Sequence, residues 1–330
     1  MAKRILATVL MLCALTGWLA AQADKPGTPA KPADTTTSKP IPAQNPAEIT
    51  TSSGRITTTV NLVNVPLTVT DRKNRLVIMM TKDDFNLFED GKQQKIEYFS
   101  RETDLALRIG LLIDTSNSIR DRLDFEQQAA IDFLSDTIRR NKDRAFIESF
   151  DVEPTIVQDY TDNVELLAKA LRSLRAGGVT SLYDAVYYAC KEKLYFFPPP
   201  EPYLRRMMIV ISDGEDNRSE HTRDEALSMA QRAEVTIFCI STNRSSAEQR
   251  GDKVLKFLAE NTGGHAFFPF EPADLAQAFR GIATDLRTQF LLSYISTNAA
   301  RDGTFRNISI LPVDRSLHVH AKSGYFALSQ

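Results

Sequence analysis

The sequence has few cysteines and glycines and almost no excess of either charge. Three Cys, 14 Gly and 15 Pro among 330 residues exclude a disulfide scaffold, a collagen-like chain and a wholly disordered chain. Forty basic residues against 42 acidic ones leave a formal net charge of -2, so no strong field attracts the protein to nucleic acid or to an anionic membrane. We therefore expect a globular protein without a nucleic-acid partner.

Several enzyme motifs are also missing. The sequence contains no Gly-x-Ser-x-Gly elbow, no Walker-type loop and no His-Glu-x-x-His helix, which leaves acyl-transfer, NTPase and zincin activities without their chemical groups. After the N-terminal segment, no apolar run approaches the length that a membrane helix needs. We therefore expect no stable membrane span in the mature chain.

The N-terminus has the pattern of a secretory signal peptide. Lys3 and Arg4 precede the apolar run 5–20, and Ala21-Gln22-Ala23 supplies a small-x-small cleavage site. Residues 1–23 are thus predicted to be removed on export, and the mature protein is expected to be secreted or periplasmic. Cys190 and Cys239 remain, each within an apolar stretch, where either a disulfide or two buried free thiols is consistent with the pattern.

Composition divides the rest of the chain. Residues 24–55 are rich in Pro, Thr and Ala with little to bury, which predicts a disordered linker. Residues 56–103 contain short β-type runs, among them Leu76–Met79, and residues 289–330 return to the same pattern, ending in the run 317–326. We expect the two flanking segments to be the halves of one small β-sandwich.

Residues 104–288 alternate apolar strands with helical patterns. The runs 105–113 and 207–211 are nearly continuously apolar, as strands buried on both faces are. Such alternation predicts the α/β class, with a Rossmann-like doubly wound sheet of about six strands. The predicted architecture is this α/β domain inserted in, or flanked by, the β-sandwich.

Acidic and hydroxyl side chains follow the buried strands of the α/β segment. Asp114, Ser116 and Ser118 come directly after the first strand, Asp213 follows a later one, and Thr180 lies in a third loop. Ligands of open α/β sheets bind where carboxyl ends of strands meet and the strand order reverses, so we expect these loops to face each other. Their oxygen donors suit Mg²⁺, Mn²⁺ or Ca²⁺, although any single loop is also compatible with a helix cap or an Asx-turn.

These residues resemble a known site. The segment Asp-x-Ser-x-Ser at 114–118, with Thr180 and Asp213, is similar to the metal-ion-dependent adhesion site (MIDAS) of von Willebrand factor A-type (VWA) domains. The resemblance covers residues 104–288. It implies an octahedral divalent cation, held directly or through water, with one position left for a Glu or Asp carboxylate of a partner protein.

The flanking segments are similar to secreted VWA-related proteins of acidobacteria. Four segments carry this resemblance: Val65–Asp71 (Val-Pro-Leu-Thr-Val-Thr-Asp), Asp83–Phe85 (Asp-Asp-Phe), Phe88–Gly91 (Phe-Glu-Asp-Gly) and the closing Gly324–Ala327 (Gly-Tyr-Phe-Ala). Partners and biological roles of that group are not defined. The closer resemblance therefore concerns architecture more than function.

The sequence leaves three functions to weigh. The resemblance favours a secreted, metal-dependent protein-binding module that is not an enzyme. A structural scaffold of the cell envelope, in which the metal only stabilises the loops, is the alternative. A metal-dependent phosphohydrolase fits less well, because such enzymes place a second Asp two residues after the nucleophile, where this chain has Ser116.

Overall fold

The computed structural model describes residues 62–329 with gaps at 74, 102, 196–203, 244 and 246, and at 272 and 273 only the backbone is described. The predicted signal peptide (1–23) and linker (24–55) lie outside the described residues. Among the helices that are described, none is both long and apolar enough to cross a membrane.

Strands alternate with helices in the central part of the chain, and strands predominate on either side of it. The strands are β1 (Leu62–Thr70), β2 (Phe85–Glu89), β3 (Lys92–Gln94), β4 (Ile96–Arg101), β5 (Ala106–Asp114), β6 (Arg144–Phe150), β7 (Pro154–Thr161), β8 (Leu204–Ser212), β9 (Val235–Ser241), β10 (Ala266–Phe267), β11 (Phe290–Ile295), β12 (Phe305–Pro312), β13 (His318–Ala321) and β14 (Gly324–Phe326). The helices are α1 (Leu123–Thr137), α2 (Val164–Ser173), α3 (Leu182–Tyr188), α4 (Arg223–Arg232), α5 (Arg250–Asn261) and α6 (Pro272–Thr288), and a π-helical turn, Ala189–Leu194, continues α3.

The central sheet has six strands in the order β10-β9-β8-β5-β6-β7. All neighbours are parallel except β7, which lies antiparallel to β6 at one edge. Nearly every residue of β5, β8 and β9 is buried, because helices cover both faces of the sheet. The predicted doubly wound α/β sheet of about six strands is confirmed.

Side chains that alternate along each strand separate the helices into two layers. Ile109 and Leu111 of β5 pack in one apolar cluster with residues of α1, α2 and α6, among them Leu134. Leu112 and Phe146 point to the opposite face and pack against α3, α4 and α5. Because each fully buried Leu, Ile or Phe side chain contributes about 1.5–3 kcal/mol, these two layers hold the sheet between them.

The strand order reverses between β5 and β8. From β5 the chain adds β6 and then β7 on one side, and it returns to place β8 against the other side of β5. The carboxyl ends of these neighbours carry Asp114 and Ser212. Reversal points of this kind are where open α/β sheets bind ligands.

Both flanking segments contribute to each sheet of a small β-sandwich. One sheet has the order β13-β1-β11-β4 and the other β14-β12-β2-β3, so strands from before and after the α/β segment pair directly. Val65 of β1 lies opposite Leu292 of β11, and Ile308 of β12 lies opposite Glu89 of β2. Their inward side chains form one apolar cluster, and the sandwich predicted from the β-type flanks is present.

Two predicted strands of the flanks differ from the structure. The run Leu76–Met79 forms no strand, and Leu76 makes only an isolated bridge to Thr70. The run 317–326 divides into β13 and β14, which belong to different sheets. The chain changes from one sheet to the other at Ser323. There the backbone N–H of Ser323 donates to the carbonyl of Asn261 at 3.1 Å instead of to a neighbouring strand.

The two cysteines are free and buried. Cys190 lies in the π-helical turn and Cys239 in β9, both within the cluster under α3, α4 and α5. Burial raises the pKa of both thiols well above the ordinary value. Of the two alternatives that the sequence left open, free thiols are the one observed.

Candidate metal centre

Asp114 ends β5 and is completely buried. Its Oδ1 accepts a hydrogen bond from the backbone N–H of Ser116 at 2.8 Å, and its Oδ2 accepts one from the hydroxyl of Ser212 at 2.7 Å. Burial raises the pKa of Asp114 to about 6 although these hydrogen bonds lower it, and the negative charge of Asp213 raises it further. A cation placed between the two carboxylates would offset both the burial and their repulsion.

The two serines after Asp114 lie within hydrogen-bond distance of each other. Their hydroxyl oxygens are 2.9 Å apart, because a short 3-10 turn, Asn117–Ile119, folds Ser118 back over Ser116. Ser116 is buried, whereas Ser118 is exposed. The segment thus presents a carboxylate and two hydroxyls over five consecutive residues, at the rim of the sheet.

The loop that contains Thr180 is fastened to the Asp114 loop through the backbone. The N–H of Gly177 donates to the carbonyl of Thr115 at 2.6 Å. Asn117 donates from its backbone N–H and from its side-chain amide to the carbonyl of Gly178, at 3.4 and 3.1 Å. Thr180 itself is buried immediately before α3, so the predicted third loop lies beside the first.

Thr180 is also joined to the loop that follows Asp213. The N–H of Thr180 donates to the side-chain oxygen of Asn217 at 3.2 Å, and the N–H of Asn217 donates to the carbonyl of Thr180 at 3.1 Å. Asp213 follows β8 directly, is half-buried, and accepts a hydrogen bond from the N–H of Glu215 at 3.0 Å. The structure therefore brings all three predicted loops together at the carboxyl ends of β5 and β8.

Several residues that position the site did not emerge from the sequence pattern. Ser212 binds Asp114, and Asn243 donates its side-chain amide to the carbonyl of Asp213 at 3.0 Å. Asp252 accepts hydrogen bonds from that same amide at 2.8 Å and from the Ser241 hydroxyl at 2.7 Å. Ser212 adjoins the predicted Asp213, and this is a usable signal. Asn243 begins an Asn-Arg-Ser sequence and Asp252 ends an Arg-Gly-Asp sequence, but neither pattern indicates a role at this site.

The predicted donor set consists of two carboxylates and three hydroxyls. No group of three or more His, Cys, Asp or Glu side chains that could hold a metal occurs among the described residues, so any cation here depends on the Ser and Thr oxygens. Oxygen donors of this type fit hard ions such as Mg²⁺, Mn²⁺ or Ca²⁺. The chemistry of the residues therefore fits a divalent cation.

The central part of the chain matches a known domain family. Residues 109–281, which are 173 of the 330 residues, match the model of the von Willebrand factor type A domain. The chain belongs to the VWA family. VWA domains typically act as interaction modules and bind a divalent metal at the MIDAS.

Several solved structures are similar to this chain at low sequence identity. BatB, a conserved hypothetical protein from Bacteroides thetaiotaomicron, is 15% identical with a TM-score of 0.44, over 54% of this chain and 98% of that one. The vWF domain of the type V pili tip protein Mfa5 from Porphyromonas gingivalis is 16% identical with a TM-score of 0.44, over 56% and 95%. Proximal thread matrix protein 1 from the mussel byssus, with a zinc-occupied MIDAS motif, is 16% identical with a TM-score of 0.47, over 60% and 49%. No curated protein matches the chain.

Proposed function

We propose that this VWA protein is a metal-dependent protein-binding module that works outside the cytoplasm. The proposal is supported by one observation: three loops that are far apart in sequence, and that carry the proposed ligands, are joined by hydrogen bonds at the reversal point of the sheet. In this proposal the ion is held, directly or through water, by Asp114, Ser116, Ser118, Thr180 and Asp213. Mg²⁺ or Mn²⁺ is the preferred ion and Ca²⁺ the alternative.

The ion supplies a positive charge to which a partner carboxylate can bind. Asp114 and Asp213 hold that charge, and the buried Ser116 and Thr180 restrict access by water on the inner side. On the outer side Ser118, Val179 and Glu215 are exposed around the centre. A Glu or Asp of the partner would complete the site, and these exposed residues would contribute to specificity.

Calorimetric titration of the mature chain with Mg²⁺ and Mn²⁺ tests the metal site. We expect one saturable site in the wild type and loss of binding in Asp114→Ala and in Asp213→Ala. The matched control is Glu165→Ala, which removes an exposed acid of α2 and should leave binding unchanged. Equal metal binding by wild type and Asp114→Ala would contradict the assignment.

A partner experiment separates adhesion from metal stabilisation. Proteins of the same compartment are passed over immobilised wild type in Mg²⁺ and eluted with EDTA, with immobilised Asp114→Ala as the control. Retention by wild type alone, released by EDTA and competed by a Glu-containing peptide of the captured protein, supports the adhesion function. Binding that persists in excess EDTA would contradict it.

One observation favours the scaffold alternative, in which the metal only stabilises loops. Asp114 is completely buried, and its pKa is raised by burial and by the charge of Asp213, so a bound cation would stabilise the loops whether or not a partner is present. In this second proposal metal binding raises the melting temperature but no partner depends on it. Metal-dependent stabilisation without any EDTA-sensitive partner would favour the scaffold.

Export is the other part of the proposal. The signal peptide predicted at 1–23 would place the module in the periplasm or outside the cell. N-terminal sequencing of the protein recovered from those fractions is expected to begin at Asp24. A cytoplasmic protein that retains its first residues would overturn this placement.

A further inference from the structure

One cavity is lined by none of the proposed metal ligands. It has a volume of about 360 Å³ and opens between the β6–β7 hairpin on one side and α3 with its π-helical turn on the other. Small-molecule sites commonly have volumes of about 300–1,000 Å³. The cavity is therefore large enough for an organic group rather than for a bare ion.

A buried carboxylate with one oxygen that has no hydrogen-bond partner lines this cavity. Glu148 of β6 is 2% exposed, and its Oε1 has no hydrogen-bond partner. Burial raises the pKa of Glu148 to about 8, with the charge of Glu192 acting in the same direction and that of Lys193 against it. An unpaired acid at this depth is costly, and a cation bound in the cavity would remove that cost.

The remaining charges of the cavity are mostly acidic. Lys193 is already paired with Asp159 at 3.0 Å, and Asp184 already accepts from His221 at 2.7 Å. The charged residues that line the cavity are the acids Glu148, Glu153, Asp184, Glu192 and Glu220 and the bases Lys193 and Arg218. The excess of carboxylates favours a positively charged ligand.

The other walls are apolar or aromatic. Val152, Pro154 and Ile156 line the side formed by the hairpin, and Tyr188 lines the side formed by α3. Apolar walls suit the methylene stem of a long cationic group, and a tyrosine ring attracts a cation over its face. An apolar entrance with a buried carboxylate matches an alkyl chain that ends in a positive charge.

We propose that this cavity binds an alkylguanidinium or alkylammonium group, with Glu148 as its counter-ion. The same group occurs in free amines and at the ends of Arg and Lys side chains. On binding, the carboxyl proton of Glu148 passes to the solvent, and the resulting carboxylate pairs with the ligand cation. The site needs none of the proposed metal ligands, so it does not rest on the proposed function.

The first test uses n-butylguanidinium and n-butylammonium with the mature chain in EDTA, followed by calorimetry. Saturable binding is expected, and n-butylurea, a neutral isostere of the guanidinium, should bind at least about tenfold more weakly because it cannot pair with the carboxylate. Titration in buffers of different ionisation enthalpy should reveal proton release.

The ionisable groups that act on the pKa of Glu148 are Glu192 and Lys193. The charge of Glu148 in turn raises the pKa of the Cys190 thiol.

Glu148→Gln is the decisive variant. It keeps the shape of the side chain and removes the unpaired buried acid, so the protein should fold with a melting temperature no lower than that of wild type, while cation binding and proton release are lost. The matched control is Glu165→Gln, the same change at an exposed position of α2 on the opposite layer, which should bind as wild type does.

A blocked peptide, acetyl-Gly-Arg-Gly-amide, distinguishes the two sources of the cation. Binding at least as tight as that of n-butylguanidinium identifies a protein side chain as the ligand, whereas binding of the small cations alone identifies a free amine or guanidine. Three results would each overturn the proposal: no saturable binding of either cation, equal binding of n-butylurea, or unchanged binding by Glu148→Gln.

Discussion

Gly251 lies directly against the carbonyl group of Asp213, so that a side chain on Gly251 would overlap this oxygen. Gly214, with a φ of +78°, packs in turn against the carbonyl of Gly251. The first turn of α5 thus holds the Asp213 loop by contact between backbones. The position of one proposed metal ligand therefore depends on a residue that makes no bond to the ion.

Gly251→Ala should displace Asp213 and weaken binding of Mg²⁺ and Mn²⁺. The overlap forces the two backbones apart, with a stability loss of about 1–3 kcal/mol as for other overpacked sites. Metal titration together with urea unfolding measures both effects. Gly177→Ala is the control, since a Cβ there meets nothing within 4 Å; wild-type metal affinity in Gly251→Ala would show that the contact does not position Asp213.

Ser212→Ala removes the hydroxyl that donates to Asp114 and that accepts from the N–H of Gly214 at 3.0 Å. Because both partners are buried, we expect a stability loss of about 1–3 kcal/mol and weaker metal binding. Ser173→Ala, at the last residue of α2, is the comparison, since its hydroxyl donates to the carbonyl of Ala170 within the same helix. Unaltered metal affinity in Ser212→Ala would mean that Asp114 is oriented without this hydrogen bond.

The buried side chain of Asp285 should make the stability of the protein depend on pH. Burial raises its pKa to about 7 in the folded chain, above the unfolded value of 3.8, so the folded state keeps this proton longer than the unfolded state does. The free energy of unfolding therefore falls as the pH rises from about 4 to about 7. Above about pH 7 the folded protein carries the full free-energy cost of a buried, ionised Asp285.

Asp285→Asn should accordingly gain stability relative to wild type as the pH increases through this window. Its neighbour His265, at 3.4 Å, has its pKa lowered to about 4 by burial, so the pair is expected to be neutral near pH 6. Denaturation at pH 5 and at pH 8 measures the difference, with the exposed Asp136→Asn as control. If the difference in free energy of unfolding between Asp285→Asn and wild type were the same at pH 5 and at pH 8, a buried, titrating Asp285 would be ruled out.

Tyr294→Phe tests the core of the β-sandwich. The Tyr294 hydroxyl donates to Glu89 at 2.7 Å, and the hydroxyls of Ser296 and Tyr325 donate to the same carboxylate at 2.6 and 3.0 Å. Losing one donor to a buried carboxylate should cost about 1–3 kcal/mol, measured by urea unfolding. Tyr98→Phe, at a 49% exposed position of β4, should cost far less.

The elements of the fold were largely predictable, because burial leaves a local pattern. Continuous apolar runs marked β5 and β8, and alternation with helices predicted the doubly wound sheet. The run 317–326 was misjudged, since its apolar pattern continues through the point where Ser323 binds Asn261 and the chain changes sheet. The contact of Ser323 with the end of α5 leaves no pattern in the sequence around Ser323.

The candidate site, too, was only partly predictable from the sequence. Local sequence predicted that Asp114, Ser116, Ser118 and Asp213 lie at strand ends, because they follow the apolar runs directly, and that Thr180 lies in a loop before a helix. Only the tertiary structure decided that Ser212 binds Asp114, that Gly251 supports Asp213 and that Glu148 is buried in a cavity without a hydrogen-bond partner for Oε1. The physical reason is that strand order and the close approach of backbones bring together residues whose positions in the chain carry no information about each other.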